Sequence, residues 1–218
     1  MRWRALVFDF DYTLVDSSAG AIECANYALA GLGLPKADPE VVRRTIGLSL
    51  PETLKRLAGE VPAETVEKFE RLFLHRAGEV IIGTSVMLDG VEPALRRLHA
   101  DGWRLGIAST KWRARIEGIL DKFGMLDLFE VIVGGDEVKV HKPDPEALHE
   151  AARRLGIEPQ KMLYIGDSHI DAEGARRAGA GFVAVLSGTT PADVFAGYPA
   201  LGVVGTLGQL PGLLNAKG

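Results

Sequence analysis

The chain has 218 residues, about one and a half domains at ~150 residues each, long enough to bury a core without disulfides or structural metal. Hydrophobic residues make up 47% and charged residues 25%, which is ordinary globular usage and argues against disorder. A net charge of −4 lacks the basic footprint of a nucleic-acid binder, and the lone Cys24 excludes an intramolecular disulfide and suits a reducing compartment.

Residues 5–8 form a short apolar run suited to a buried strand. The run meets Asp9 too soon to be the core of a signal peptide. From 16 to 83 the pattern turns helical, with no convincing strand. Ser17 or Ser18 can cap a helix running to 31–33, Asp38 and Pro39 open a second, and Ser49 with Glu52 three residues on opens a third. A longer helix follows from about 62 to 78. Strands resume at 103–108, 131–133, 162–165, 182–186 and 202–204. Between them, Leu148, Ala151, Ala152 and Leu155 recur at helical spacing behind Asp144 as N-cap and Pro145 in the first turn. Thr190 and Pro191 open a further candidate helix, and Thr206 with Gln209 resembles a capping box.

Strands alternating with helices predict an α/β fold, a Rossmann-like parallel sheet sandwiched by helices. The helical stretch is too long for a simple crossover. It predicts an inserted all-helical cap at 16–83, with 1–15 and 84–218 forming a discontinuous core. No run approaches the ~18 uncharged apolar residues of a membrane span. The expectation is a cytoplasmic protein that acts on a small molecule, with neither nucleic acid nor membrane as partner; the oligomeric state stays open.

Three polar clusters stand where apolar runs stop. Asp9, Asp11 and Thr13 follow the first strand, Ser109, Thr110 and Lys111 the second, and Asp167, Ser168 and Asp171 the fourth. In an open parallel sheet, ligands bind outside the carboxyl ends of the strands, so one fold rule brings all three clusters to one edge.

These residues carry a resemblance. The run Asp9, Phe10, Asp11, Tyr12, Thr13 resembles the first motif of the haloacid dehalogenase superfamily, DxDxT. Ser109 is similar to its second motif, Lys142 before Pro143 to its third, and Gly166, Asp167 and Asp171 to its fourth, GDxxxD. The helical insert resembles the cap of the phosphoglycolate phosphatase-like branch. Tyr12 departs from the glycine usual in that branch, which bears on the turn because glycine reaches positive φ freely and tyrosine does not.

The resemblance implies a Mg²⁺-dependent phosphatase acting on a small phosphorylated metabolite, phosphoglycolate-like or a sugar phosphate. Asp9 would be the nucleophile and Asp11 the general acid and base, with Ser109 and Lys142 completing the catalytic set. Phe10, Thr13, Ser109, Thr110, Lys142 and, in the cap, Gly47 would contact phosphate or substrate. Asp9, Asp11 through its backbone carbonyl, Asp167 and Asp171 would serve the metal, Asp171 either directly or behind the ligands. The cap loop 45–49 resembles the substrate-facing loop of the branch, and Arg43 or Arg44 beside it could meet a second anionic group. Lys111 and Lys139 compete with Lys142 for the cationic role, but only Lys142 precedes proline. The five histidines show no metal-like spacing. Three rivals remain at this point. A β-phosphoglucomutase-type mutase keeps both aspartates but often has valine at the position of Thr13. A haloacid dehalogenase has no need of Asp11. A phospho-accepting receiver module has no helical insertion.

Overall fold

The computed structural model describes residues 3–217; the expected core's outermost residues, Met1, Arg2 and Gly218, lie outside them. In chain order the elements are β1 (Ala5–Phe8), β2 (Val15–Asp16), α1 (Ser18–Gly31), α2 (Pro39–Arg43), α3 (Leu50–Ala58), α4 (Ala63–Thr84), β3 (Val86–Met87), α5 (Val91–Ala100) and β4 (Arg104–Ala108). Then come α6 (Arg113–Lys122), β5 (Val131–Val133), α7 (Glu146–Arg154), β6 (Met162–Gly166), α8 (His169–Ala178), β7 (Gly181–Val185), β8 (Ala200–Val204) and α9 (Leu210–Lys217). No helix among the described residues is long and apolar enough to cross a membrane.

The chain divides into two compact units, 1–15 with 87–218, and 16–86. The expected second boundary at 83/84 moves to 86/87, because α4 runs through Thr84 and its last turn is closed by Ser85, whose hydroxyl donates to the Ile81 carbonyl.

In the larger unit, six strands form one sheet in the order β5-β4-β1-β6-β7-β8, with every pairing parallel. Strand alternation splits their side chains between two cores. Leu6, Phe8, Leu163 and Ile165 join residues of α5, α6 and α9, while Ala5, Val7, Met162 and Tyr164 join residues of α7 and α8. A sheet buried on both faces explains why the strands read as unbroken apolar runs. Strand β1 lies between β4 and β6, the point where the strand order reverses, and that is where open α/β sheets form ligand crevices.

Three local expectations change. Pro145, not Asp144, is the residue before α7, although the Asp144 carboxylate does accept from the Glu146 N–H at 3.0 Å. Thr190 and Pro191 lead into a 3₁₀ segment, Ala192–Gly197. Thr206 makes no side-chain cap, because the Gln209 side chain instead accepts from the Gly205 N–H at 2.7 Å.

The smaller unit is built from α1–α4. Ser49 and Glu52 form the anticipated capping box. Gly20 lets α1 and α4 approach closely, since a β-carbon there would lie 2.4 Å from Thr84 Oγ1. Ala28, Leu29, Leu54 and Phe69 form its main core, and Cys24, Ala77 and Ile81 a smaller one. Phe69 is fully buried. Phe69→Ala is expected to destabilise the protein by about 3–5 kcal/mol through lost burial and an unfilled cavity. Urea unfolding of the full chain measures this, and a loss below about 1 kcal/mol would show that the unit does not depend on this core.

Candidate active site

Three adjacent strands deliver the polar residues. Strand β1 ends at Phe8 and is followed by Asp9, whose N–H donates to the Ile165 carbonyl of β6 at 2.8 Å. The chain then doubles back. Leu14 N–H donates to the Phe10 carbonyl at 2.9 Å, and Tyr12 N–H to the Val15 carbonyl at 2.7 Å. Tyr12 takes φ +60, the only positive φ of a non-glycine residue among those described. A left-handed conformation costs an ordinary residue roughly 1–2 kcal/mol. The turn is thus kept, and the missing glycine is reflected in strain. The Ser187 hydroxyl, beyond β7, donates to the Tyr12 carbonyl.

Lys142 is the hub. Its side chain is 2% exposed. Its Nζ stands 2.9 Å from Asp9 Oδ1, 2.6 Å from Asp171 Oδ1 and 3.0 Å from the Tyr164 hydroxyl. The Tyr164 hydroxyl donates in turn to the Ala108 carbonyl at the end of β4, 2.8 Å away. The other oxygen of Asp171 accepts from the Ser168 N–H at 3.0 Å and from the Ser168 hydroxyl at 2.5 Å. Both oxygens of Asp171 are therefore engaged by protein groups, and it acts as an anchor for Lys142 and a cap for α8.

The electrostatics follow from burial. Desolvation pushes the Asp9 carboxyl up to about 6, against the opposing pull of Lys142. Asp167 is raised well above the usual carboxylate range, first by burial and then by the charges of Asp171 and Asp9. Burial works against the charge on Lys142, but Asp171 and Asp9 outweigh it and hold its pKa well above the ordinary lysine value.

Beside this cluster, Lys111 Nζ lies 2.9 Å from Asp11 Oδ2, with both side chains 9% exposed. The two aspartates of the first motif thus each face their own lysine. Lys139 is not drawn in; its N–H donates to Glu146 at the surface.

The donor set fits a divalent cation. Carboxylate oxygens of Asp9, Asp167 and Asp171 lie within 4.8 Å of one another. Three buried carboxylates share one buried ammonium. Asp9 Oδ1 has the Lys142 charge beside it but no hydrogen bond of good geometry. Hard oxygen ligands with surplus negative charge suit Mg²⁺.

Not every expected phosphate contact lies open. The Thr13 side chain is fully buried and its hydroxyl donates to Asp167 Oδ1 at 3.1 Å, so it orients Asp167 rather than meeting substrate. Phe10 is fully buried with its ring in the core, so only its backbone could face a phosphate. Ser109 is buried beside Asp9, and its hydrogen bond helps to hold that carboxylate's pKa down; Thr110 is half-buried. Gly47 belongs to the smaller unit, at φ +95 in the loop between α2 and α3. In the same unit Arg43 is engaged by the Ser18 hydroxyl at 2.6 Å and by Glu40 at 3.2 Å, whereas Arg44 is exposed.

Two participants are not legible in the sequence. Tyr164 is hidden inside an apolar strand, where a tyrosine reads as packing. Gly188 lies in the turn after β7, where a β-carbon would come 1.8 Å from Asp167 Oδ2.

Comparison with known proteins bears on this arrangement. The profile of the family described as haloacid dehalogenase-like hydrolase matches residues 6–185. A phosphoglycolate phosphatase of Cereibacter sphaeroides is 38% identical over 215 residues, covering 96% of this chain and 97% of the relative. One from Salmonella typhimurium is 34% identical over 206 residues, covering 85% and 82%. A solved structure from Bacteroides fragilis, described as haloacid dehalogenase-like, superposes with a TM-score of 0.92 at 39% identity, covering 95% of this chain and 99% of that one. A β-phosphoglucomutase from Clostridium difficile, at 20% identity and TM-score 0.77, shares the fold.

Proposed function

Because this chain belongs to the haloacid dehalogenase-like hydrolase family and is a phosphoric monoester hydrolase, we propose that it is a Mg²⁺-dependent phosphatase of a small phosphorylated metabolite, working through an aspartyl-phosphate. The observation that carries this reading is the buried cluster of Asp9, Lys142, Asp171 and Asp167, with the Asp11–Lys111 pair beside it.

In this reading an Asp9 carboxylate oxygen attacks phosphorus and the bond to the leaving oxygen breaks. Asp11 gives its proton to that oxygen. Asp11 then takes a proton from a water, whose oxygen attacks the same phosphorus. The bond to Asp9 breaks, returning Asp9 as a carboxylate and releasing inorganic phosphate. Ser109 donates a hydrogen bond to a phosphoryl oxygen, and Lys142 holds Asp9 in place while offsetting the crowded negative charge. Mg²⁺, held by Asp9, Asp167 and the Asp11 carbonyl, would supply the positive charge that lets an anionic ester approach carboxylates. Asp171 supports this set by fixing Lys142.

The relatives named phosphoglycolate phosphatase make phosphoglycolate the first substrate to test. By resemblance to the family, the cap loop 45–49 sets the choice of substrate, and the protein works in the cytoplasm. The test is kcat/KM across a panel containing an aryl phosphate, phosphoglycolate and sugar phosphates, with Mg²⁺ and with EDTA. Mg²⁺-dependent hydrolysis with phosphoglycolate in the lead is expected. Activity that survives in EDTA would overturn the metal role, and net isomerisation of a sugar phosphate without phosphate release would favour a mutase.

A further inference from the structure

The metal cluster is bounded by a segment that no motif covers, the turn after β7. Ideal placement of a β-carbon at Gly188 puts it 1.8 Å from Asp167 Oδ2, 2.7 Å from Asp167 Cγ and 3.0 Å from Asp167 Cβ. The first two distances are well inside any real carbon contact. The turn is the more firmly held of the two, so the carboxylate yields, and only by giving up its present direction. Asp167 is buried at the end of β6, with Oδ1 held by the Thr13 hydroxyl at 3.1 Å. The turn is tied on its other side through Ser187, whose hydroxyl donates to the Tyr12 carbonyl, and through β7, which pairs with β6 up to Gly166 and Ala184. Glycine here does not serve a left-handed φ; it lets the backbone lie flat against a carboxylate.

We propose that Gly188 is a positioning residue for Asp167, the turn at 187–188 acting as a wall that fixes the direction of the Asp167 carboxylate and so the affinity for a divalent cation. The inference rests on the reading of Asp167 as a metal ligand. A side chain at 188 forces the carboxylate out of its present direction while the fold persists, because only one flexible group must move.

The test uses the full-length, EDTA-treated protein with Mn²⁺ as the probe, its binding followed by electron paramagnetic resonance. Gly188→Ala is expected to raise the Mn²⁺ dissociation constant at least tenfold. Gly197→Ala, where a β-carbon would meet open space, should stay within twofold of the parent. An unchanged dissociation constant in Gly188→Ala overturns the proposal. A parent protein that fails to bind Mn²⁺ overturns both the proposal and the metal reading beneath it. The second measurement is a melting-temperature cycle in EDTA, informative even when Gly188→Ala folds poorly. On an Asp167→Gly background both the clashing carboxylate and the β-carbon 3.0 Å away are gone, so adding Gly188→Ala should cost nothing further. A penalty that persists there would show that Gly188 does not act through Asp167.

Discussion

Asp9→Asn is expected to reduce turnover of an aryl phosphate by at least about 10³-fold, as removal of a nucleophile does when the remaining groups can only bind and polarise the substrate. The same substitution should raise stability in metal-free buffer at pH 7. Burial pushes the Asp9 carboxyl up to about 6, well above the ordinary value of an aspartate. A carboxyl whose pKa is raised on folding favours the native state fully below the unfolded value and loses that contribution as pH rises through the folded one. At pH 7 Asp9 is ionised and the contribution is gone. The amide, which never ionises, removes this cost, worth on the order of 1–3 kcal/mol. The gain should fade towards pH 4, where Asp9 itself is protonated. Steady-state assays and urea unfolding at both pH values measure this. Near-parental activity would sink the nucleophile assignment, and a loss of stability at pH 7 would refute the burial argument.

Lys142→Met should push stability the other way. Methionine has nearly the shape of lysine but leaves Asp9 and Asp171 without the ammonium now 2.9 and 2.6 Å away. Removing one partner of a buried pair costs about 3–5 kcal/mol because the other charge stays buried and uncompensated. Asp9 and Asp167 are already raised by burial, and Lys142 is a charge that holds both down. Without it they titrate higher still, so the penalty should be full at neutral pH and shrink as acid protonates them. Urea unfolding in EDTA at pH 7 and pH 5 tests this; an equal loss at both values would mean that Lys142 acts by packing alone. Activity should fall as well, by roughly 10²-fold or more, through loss of charge stabilisation. Thus Asp9→Asn and Lys142→Met, both impaired in catalysis, are expected to shift stability in opposite directions.

The opposed signs come from one physical fact. The site gathers the buried carboxylates of Asp9, Asp167 and Asp171 together, with Lys142 as the buried counter-charge. Such a cluster is costly in the absence of a cation and ready for one, which is the electrostatic condition for admitting an anionic ester beside a carboxylate nucleophile.

The alternation of apolar runs and helical patterns determined the α/β class, while the place of β1 between β4 and β6 came only from the folded sheet. Asp9, Asp11, Ser109, Asp167 and Asp171 stood out because a parallel sheet carries the residues that follow its strands to one edge, whereas Lys142 stood out only by resemblance to the third motif of the family. The capping box of Ser49 and Glu52 was legible because it is local. What the chain pattern could not decide depends on distance through space. Thr13 looked like a phosphate contact and is instead a buried partner of Asp167, since the side of the turn it occupies is set by how the chain doubles back at Tyr12. Lys111 was a mere competitor of Lys142 until folding placed it on Asp11. Tyr164 and Gly188 gave no signal, one being a hydroxyl inside an apolar strand and the other a missing side chain in a turn. Their roles come from where β6 and β7 bring them, against Lys142 and Asp167. Residue type and spacing specify which chemistry a chain can perform, but the partner of each charge is chosen by packing, because buried electrostatics act across a few ångströms between residues far apart in sequence.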